Sequence, residues 1–204
     1  MKEFYIVTHT EATHHIQRIV GGWHDSELTE KGRTDAILCA GRLKELDLDG
    51  TPVITSDLKR AVQTGQEISN LLKSSLSLDS RLREMSYGEA EGKPQDWLDK
   101  RVVPYDNENR LDHSIVHGNE TRREFATRLF DAMQELSSSF DKLIIITHGF
   151  ASTFLIANWI RMPIESVGYV SFFVKSGSIT YLKEDDFFKN RAVVYLGDAR
   201  HLNQ

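Results

Sequence analysis

The chain has 204 residues, 40% of them apolar and 27% charged, with a net charge of −5. That acidic balance argues against nucleic acid or an anionic membrane as partner, since either needs a basic footprint. The length suits one α/β domain. No apolar run approaches the roughly 18 residues of a membrane span.

Phe4-Tyr5-Ile6-Val7 opens the chain with apolar residues and stops at Thr8-His9. Such a run without polar alternation reads as a strand buried on both faces of a parallel sheet, here over 3–8. Residues 10–29 are polar, contain Gly21-Gly22, and read as a long functional loop. Thr29 is the expected N-cap of a helix on which Ala36, Ile37, Ala40 and Leu43 recur at helical spacing to about Leu46. Cys39, the single cysteine, lies in that pattern and reads as a small buried hydrophobe. With no partner for a disulfide, it permits a reducing compartment. Asp49-Gly50-Thr51-Pro52 is a turn, 53–55 a short strand, and Ser56-Asp57 the expected cap of a helix ending at Leu72.

Residues 73–120 are irregular in pattern, with Gly88, Gly92, Pro94, Pro104 and Gly118. We read 93–117 as an insertion with short helices that caps the sheet edge. A third helix is expected from Glu120 to Ser137, with Phe125, Leu129, Met133 and Leu136 on one face. Leu143-Ile144-Ile145-Ile146 repeats the first strand's pattern and again ends in Thr-His, at Thr147-His148. The next helix, from Gly149 to about Ile160, is apolar nearly all round and therefore buried. Strands are expected at 170–174, 178–182 and 193–196, and a less ordered tail from 198. Together these elements predict a single α/β domain over 1–204, a three-layer α/β/α sandwich with a mostly parallel central sheet. The first residues lack a basic n-region, so no signal peptide and a cytoplasmic location are expected.

Ligands of open α/β sheets bind beyond the carboxyl ends of the strands. His9 and His148 each close a buried strand, so the two can face one site. A lone histidine after a strand is usually just a loop residue; two of them in this position favour a site. A zinc site from His9, His14 and His15 with His24 or Glu11 is a weaker reading, because the spacing matches no standard set.

Six segments, in order along nearly the whole chain, resemble the motifs of the histidine phosphatases of the phosphoglycerate mutase-like superfamily. They are Thr8-His9-Thr10-Glu11, the run from Gly22-Trp23 to Leu28-Thr29, and the run from Ser56 to Thr64 with Arg60-Ala61. The others are Leu82-Arg83-Glu84 through Glu91-Gly92, Gly118-Asn119-Glu120-Thr121, and Thr147-His148-Gly149. The resemblance implies a phosphoglycerate mutase-like fold and a phosphatase that needs neither metal nor other cofactor. It hydrolyses phosphomonoesters through a phosphohistidine on His9. Glu84 would protonate the leaving oxygen and then activate water; Arg60 and His148 complete the catalytic set. Thr8, Thr10, His15, Arg60, His148 and Gly149 would bind the phosphoryl group. The implied partner is a small phosphorylated substrate. The oligomeric state is left open, a homodimer being one option.

Glu89 and Glu91 compete with Glu84, which motif register favours. Glu11 is expected to orient its loop, Trp23 and Trp97 to pack, and His113 and His117 to be loop residues. The chain departs from the family pattern at Thr8, where an arginine is usual, and at Thr10, where a glycine is. His15 replaces an asparagine and Ile19 an arginine, with Arg18 one place early. We expect His14, His15 or Arg18 to replace the lost charge. Two alternatives remain. One is a catalytically idle relative that binds a phosphorylated ligand or protein, favoured by Thr8 and Thr10. The other is a phosphoglycerate mutase, disfavoured by the short middle insertion and the altered first motif.

Overall fold

The computed structural model describes residues 1–105 and 108–202. Twelve regular elements carry the fold: β1 (Lys2–Thr8), α1 (Thr13–Gln17), α2 (Glu30–Glu45), β2 (Val53–Thr55), α3 (Lys59–Leu72), β3 (Leu76–Leu78), α4 (Gln95–Asp99), α5 (Arg122–Ser139), β4 (Lys142–Thr147), α6 (Gly149–Trp159), β5 (Ile179–Glu184) and β6 (Arg191–Asp198). The strands form one sheet in the order β3-β2-β4-β1-β5-β6. The first four in that order run parallel, and β5 and β6 run antiparallel.

Strand periodicity explains the three layers. Tyr5, Val7, Ile144 and Ile146 point to one face and pack on Cys39, Ala40 and Leu43 of α2 and Ile68 of α3. Phe4, Ile6, Leu143 and Ile145 point to the other and pack on Phe125, Leu129 and Met133 of α5 and Phe154 and Trp159 of α6. Two-sided burial is why β1 and β4 read as unbroken apolar runs. Thr8 sits directly opposite Thr147, so both strands release their histidines at the same level.

Thr29 caps α2 as expected, its hydroxyl accepting from Gly32 N at 2.9 Å. Several local expectations change. The 10–29 loop holds α1. The N-cap of α3 is Leu58, with no side-chain cap. α5 begins after Thr121, which forms a capping box with Glu124. Residues 170–174 form no strand, because Phe172 satisfies its backbone on the Thr153 hydroxyl instead (N to Oγ1 3.1 Å). β3, three residues on a sheet edge, had no sequence signal of its own. β6 is longer than 193–196, and the expected tail folds into a 3₁₀ turn at Arg200–Leu202 that buries His201; 203 and 204 lie outside the described residues.

Within the expected cap at 93–117, the calls for 106 and 107 lie outside the described residues. The rest builds a small core of its own. Leu98, Ile115 and Val116 pack with Val20 and Ala90, flanked by Trp97 and Tyr105. Among the described residues, no helix is long and apolar enough to cross a membrane.

Candidate active site

His9 leaves β1 with its amide on Thr147 O at 2.9 Å, tying it to the end of β4. Its Nδ1–H donates to the Thr10 carbonyl at 2.7 Å. Nε2 therefore keeps its lone pair, and Arg60 Nε–H donates to that atom at 3.2 Å. Both bonds select the same tautomer. Burial, then Arg60 and His15, hold the His9 pKa well below 6.5, so the imidazole is neutral near pH 7.

Arg60 stands in the first turn of α3 and is 1% exposed. Its Nη1 donates to His24 O at 2.7 Å and its Nη2 to Gly22 O at 2.6 Å. The fork thus draws the 22–24 loop down onto His9. Gly22 has φ +52, a conformation that suits glycine. Burial lowers the Arg60 pKa to about 10, which leaves it cationic near neutral pH.

The His148 ring lies edge-on to His9 with centroids 5.0 Å apart. Its Nε2 is 2.8 Å from the Ser56 hydroxyl, and its buried Nδ1 has no protein partner. A buried nitrogen left without a protein partner is rare. Burial, Arg60 and His9 hold this imidazole neutral as well.

Glu84 is partly buried and gathers two amides: Met85 N at 2.9 Å on one oxygen and Phe150 N at 3.0 Å on the other. Phe150 lies in the first turn of α6. The amino end of that helix therefore serves the carboxylate. Burial raises the Glu84 pKa even though these bonds, Arg60 and Arg128 oppose the rise.

The structure brings His9, Arg60 and His148 together and adds His15, stacked on His9 at 5.6 Å and 9°. His15 Nδ1 accepts from Ala12 N at 3.2 Å, so its proton sits on Nε2. Thr10 lies in a different direction: its amide donates to Thr64 Oγ1 at 3.3 Å, and its hydroxyl faces the same oxygen. Thr8 is buried beside His9, its amide on Ser178 O and its carbonyl on Gly177 N. Gly149 opens α6 with room around it. His14 pairs its Nδ1 with Ser26 Oγ at 2.7 Å, and burial followed by His15 holds its pKa at about 3. Arg18 is exposed at the left-handed end of α1. Arg60 bears on His9, His14, His15 and His148, and Arg128 bears on His148 as well. Among the described residues, no three His, Cys, Asp or Glu side chains are arranged to hold a metal.

Three supporting residues take roles that the sequence did not give them. Ser56 holds His148. Arg128 donates to the carbonyls of Arg81, Arg83 and Glu84 at 2.7–2.8 Å and pairs with Glu120, fixing the turn that carries Glu84. Glu91, weighed as a rival acid, instead gathers Trp23 N, Tyr87 N and the Ser86 hydroxyl. Glu91 sits inside a motif segment and was visible there. Arg128 looks like any helix-surface arginine until its partners are known.

The profile of the histidine phosphatase superfamily (branch 1) matches residues 4–193. The chain belongs to this superfamily. Among relatives, it is 32% identical over 155 residues to a Hydrogenobacter thermophilus protein provisionally named phosphoserine phosphatase 2, covering 73% of this chain and 74% of that one. It is 29% identical over 168 residues to the Escherichia coli K12 protein named probable phosphoglycerate mutase GpmB, covering 80% and 77%. Among solved structures, Bacillus stearothermophilus YhfR superposes with TM-score 0.80 at 26% identity, over 99% of this chain and 100% of that one. A mycobacterial glucosyl-3-phosphoglycerate phosphatase solved with VO3 superposes with TM-score 0.82 at 22% identity, over 98% and 100%, a likeness of fold. The fold is thus shared over nearly the whole chain.

Proposed function

We propose that this histidine phosphatase superfamily member hydrolyses small phosphomonoesters through a phosphohistidine on His9. One observation carries the reading: His9 Nε2 holds a lone pair in a fixed tautomer, beside a buried arginine and the unpartnered Nδ1 of His148. The relatives' names, two phosphatases among them, support it.

Nε2 attacks phosphorus, the bond to the leaving oxygen breaks, and Glu84 in its acid form gives that oxygen a proton. The proton stays on Nδ1, still donated to the Thr10 carbonyl. As phosphorus takes the lone pair, Arg60 Nε–H passes to a phosphoryl oxygen, and His148 Nδ1–H donates to another. Water then attacks the phosphohistidine, Glu84 as carboxylate takes its proton, and inorganic phosphate leaves with His9 neutral again. This chemistry uses protein groups throughout and fits a cytoplasmic enzyme.

Rapid quench with a phosphate-labelled aryl ester tests the reading. Acid-labile, base-stable label on a peptide containing His9 is expected, and none in His9→Ala. Turnover without such label, or label on His148, overturns it. Binding of phosphate esters with no turnover by either protein would instead establish the idle relative.

A further inference from the structure

Residues 22–25 run as a strap between His9 and Glu84, and each of them is pinned. Gly22 O and His24 O accept from Arg60 at 2.6 and 2.7 Å. Trp23 N donates to Glu91 Oε1 at 3.0 Å, and Asp25 Oδ1 accepts from Lys59 N at 2.8 Å. The Trp23 side chain has no part in the mechanism so far. It is 38% exposed, so burial alone gives little reason for a tryptophan there. Its contacts are specific instead. The Arg83 guanidinium lies over the ring, 4.8 Å from the centroid, and Nε1–H donates to the Glu84 carbonyl at 2.7 Å. Arg83 is itself held, its fork on both oxygens of Asp57 at 2.7 and 2.6 Å.

We infer, on the reading of Glu84 as the leaving-group acid, that Trp23 is its positioning residue: the indole N–H fixes the peptide between Glu84 and Met85, and that peptide aims the carboxylate. A single planar group links the two. The C=O of this trans peptide accepts from Trp23, and its N–H, which points the opposite way, donates to Glu84 Oε1 at 2.9 Å. A donor on the carbonyl polarises the group and strengthens the bond made by the N–H at its other end. Arg128 Nη2 gives the same carbonyl a second donor at 2.7 Å, and Phe150 N holds the other carboxylate oxygen at 3.0 Å. Those two come from α5 and α6. Trp23 comes from the strap that Arg60 grips, so it ties the acid to the arginine beside the nucleophile. The Met85 bond favours the charged form of Glu84, so weakening it raises the pKa of the acid. The other groups that face Glu84 are Arg60 on α3, Arg128 on α5 and Tyr87 in its own turn, and a change at Trp23 leaves all three side chains unaltered.

Trp23→Phe tests this on alkyl and activated aryl phosphates, beside Glu84→Gln. We expect kcat on alkyl esters to fall about 3- to 10-fold with KM unchanged, and kcat on aryl esters to fall less than about twofold. The alkaline limb of the alkyl-ester pH profile should move up by about a few tenths of a unit. A tryptophan analogue with sulfur in place of the indole nitrogen keeps the ring and its stack on Arg83 but has no N–H. Placed at position 23 it should reproduce both effects, and it decides the matter if Trp23→Phe folds poorly. Trp97→Phe, the same change on α4 where Arg101 covers the ring, should produce neither. Native rates and a native pH limb in the sulfur analogue, equal losses on the two ester classes, or the same loss in Trp97→Phe overturns the inference. Equal losses on both classes in Glu84→Gln would overturn the acid assignment itself, and this inference with it.

Discussion

At the residue scale, Thr8 stands where the motif resemblance leads us to expect an arginine, and Arg60 is the guanidinium that bonds His9. Of the three candidates for the missing charge, His14 and His15 both lie against the His9 ring, with centroids 6.1 and 5.6 Å away, and His15 stacks on it as a neutral ring. Burial and Arg60 lower its pKa, while His14 is neutral down to about 3. Neither ring therefore supplies a cation near neutral pH. A hydrogen bond to a charged group contributes about 1.5–3 kcal/mol. Thr8→Arg should raise kcat/KM about 10- to 150-fold at neutral pH and tighten inhibition by phosphate. An unchanged kcat/KM would show that the charge is already supplied. Glu84 gives a second prediction. Its raised pKa keeps the acid form available above the ordinary carboxylate range, so the rate should fall as pH rises through that displaced value. Glu84→Gln should abolish this limb and slow alkyl esters far more than activated aryl esters, whose leaving oxygen needs little protonation. Equal losses on both substrates would reduce Glu84 to a shaping role.

At the element scale, two close contacts aim the site. α2 runs so near the loop after β1 that a Cβ on Gly32 would lie 2.0 Å from the Glu11 carbonyl oxygen. The same carbonyl receives Thr29 N at 3.0 Å, so the helix start and the His9 loop are one unit. Gly32→Ala must push them apart. We expect a loss of about 1–3 kcal/mol in denaturant unfolding, with kcat reduced because His9 moves with the loop. A stability equal to that of the native protein would mean that the loop yields freely. The turn bearing Glu84 is held in the same indirect way, by the Arg128 fork from α5 on three of its carbonyls.

At the scale of the whole molecule, folding buries His9, His14, His148 and His201 and lowers their pKa values, and it lowers that of His15 as well. The unfolded chain protonates these rings below about pH 6.5, whereas the folded chain does not. The unfolded state then binds more protons, so stability is full above that pH and falls as pH drops. The slope should approach about 1.4 kcal/mol per pH unit for each fully depressed histidine. Urea unfolding between about pH 6.5 and 4.5 reads it before most carboxylates titrate. His14→Asn removes one such group and should flatten the slope; an unchanged slope would show that His14 is protonated in the folded state.

The residues by themselves determined a good deal. Two-sided burial leaves an apolar run without alternation, so β1 and β4 were legible, and with them the two histidines at their ends. Helix faces and the Thr29 cap are likewise local, and the motif order pointed to Arg60 and Glu84. Tertiary structure decided what depends on partners distant in the chain. β3 and the unpaired 170–174 segment differ only in what lies beside them. Arg60 spends its fork on the Gly22 and His24 carbonyls, Ser56 holds His148, and the amino end of α6 serves Glu84. A side chain's type shows what it can donate or accept; which group receives it depends on the approach of segments far apart in the chain, and that approach is a property of the packed fold.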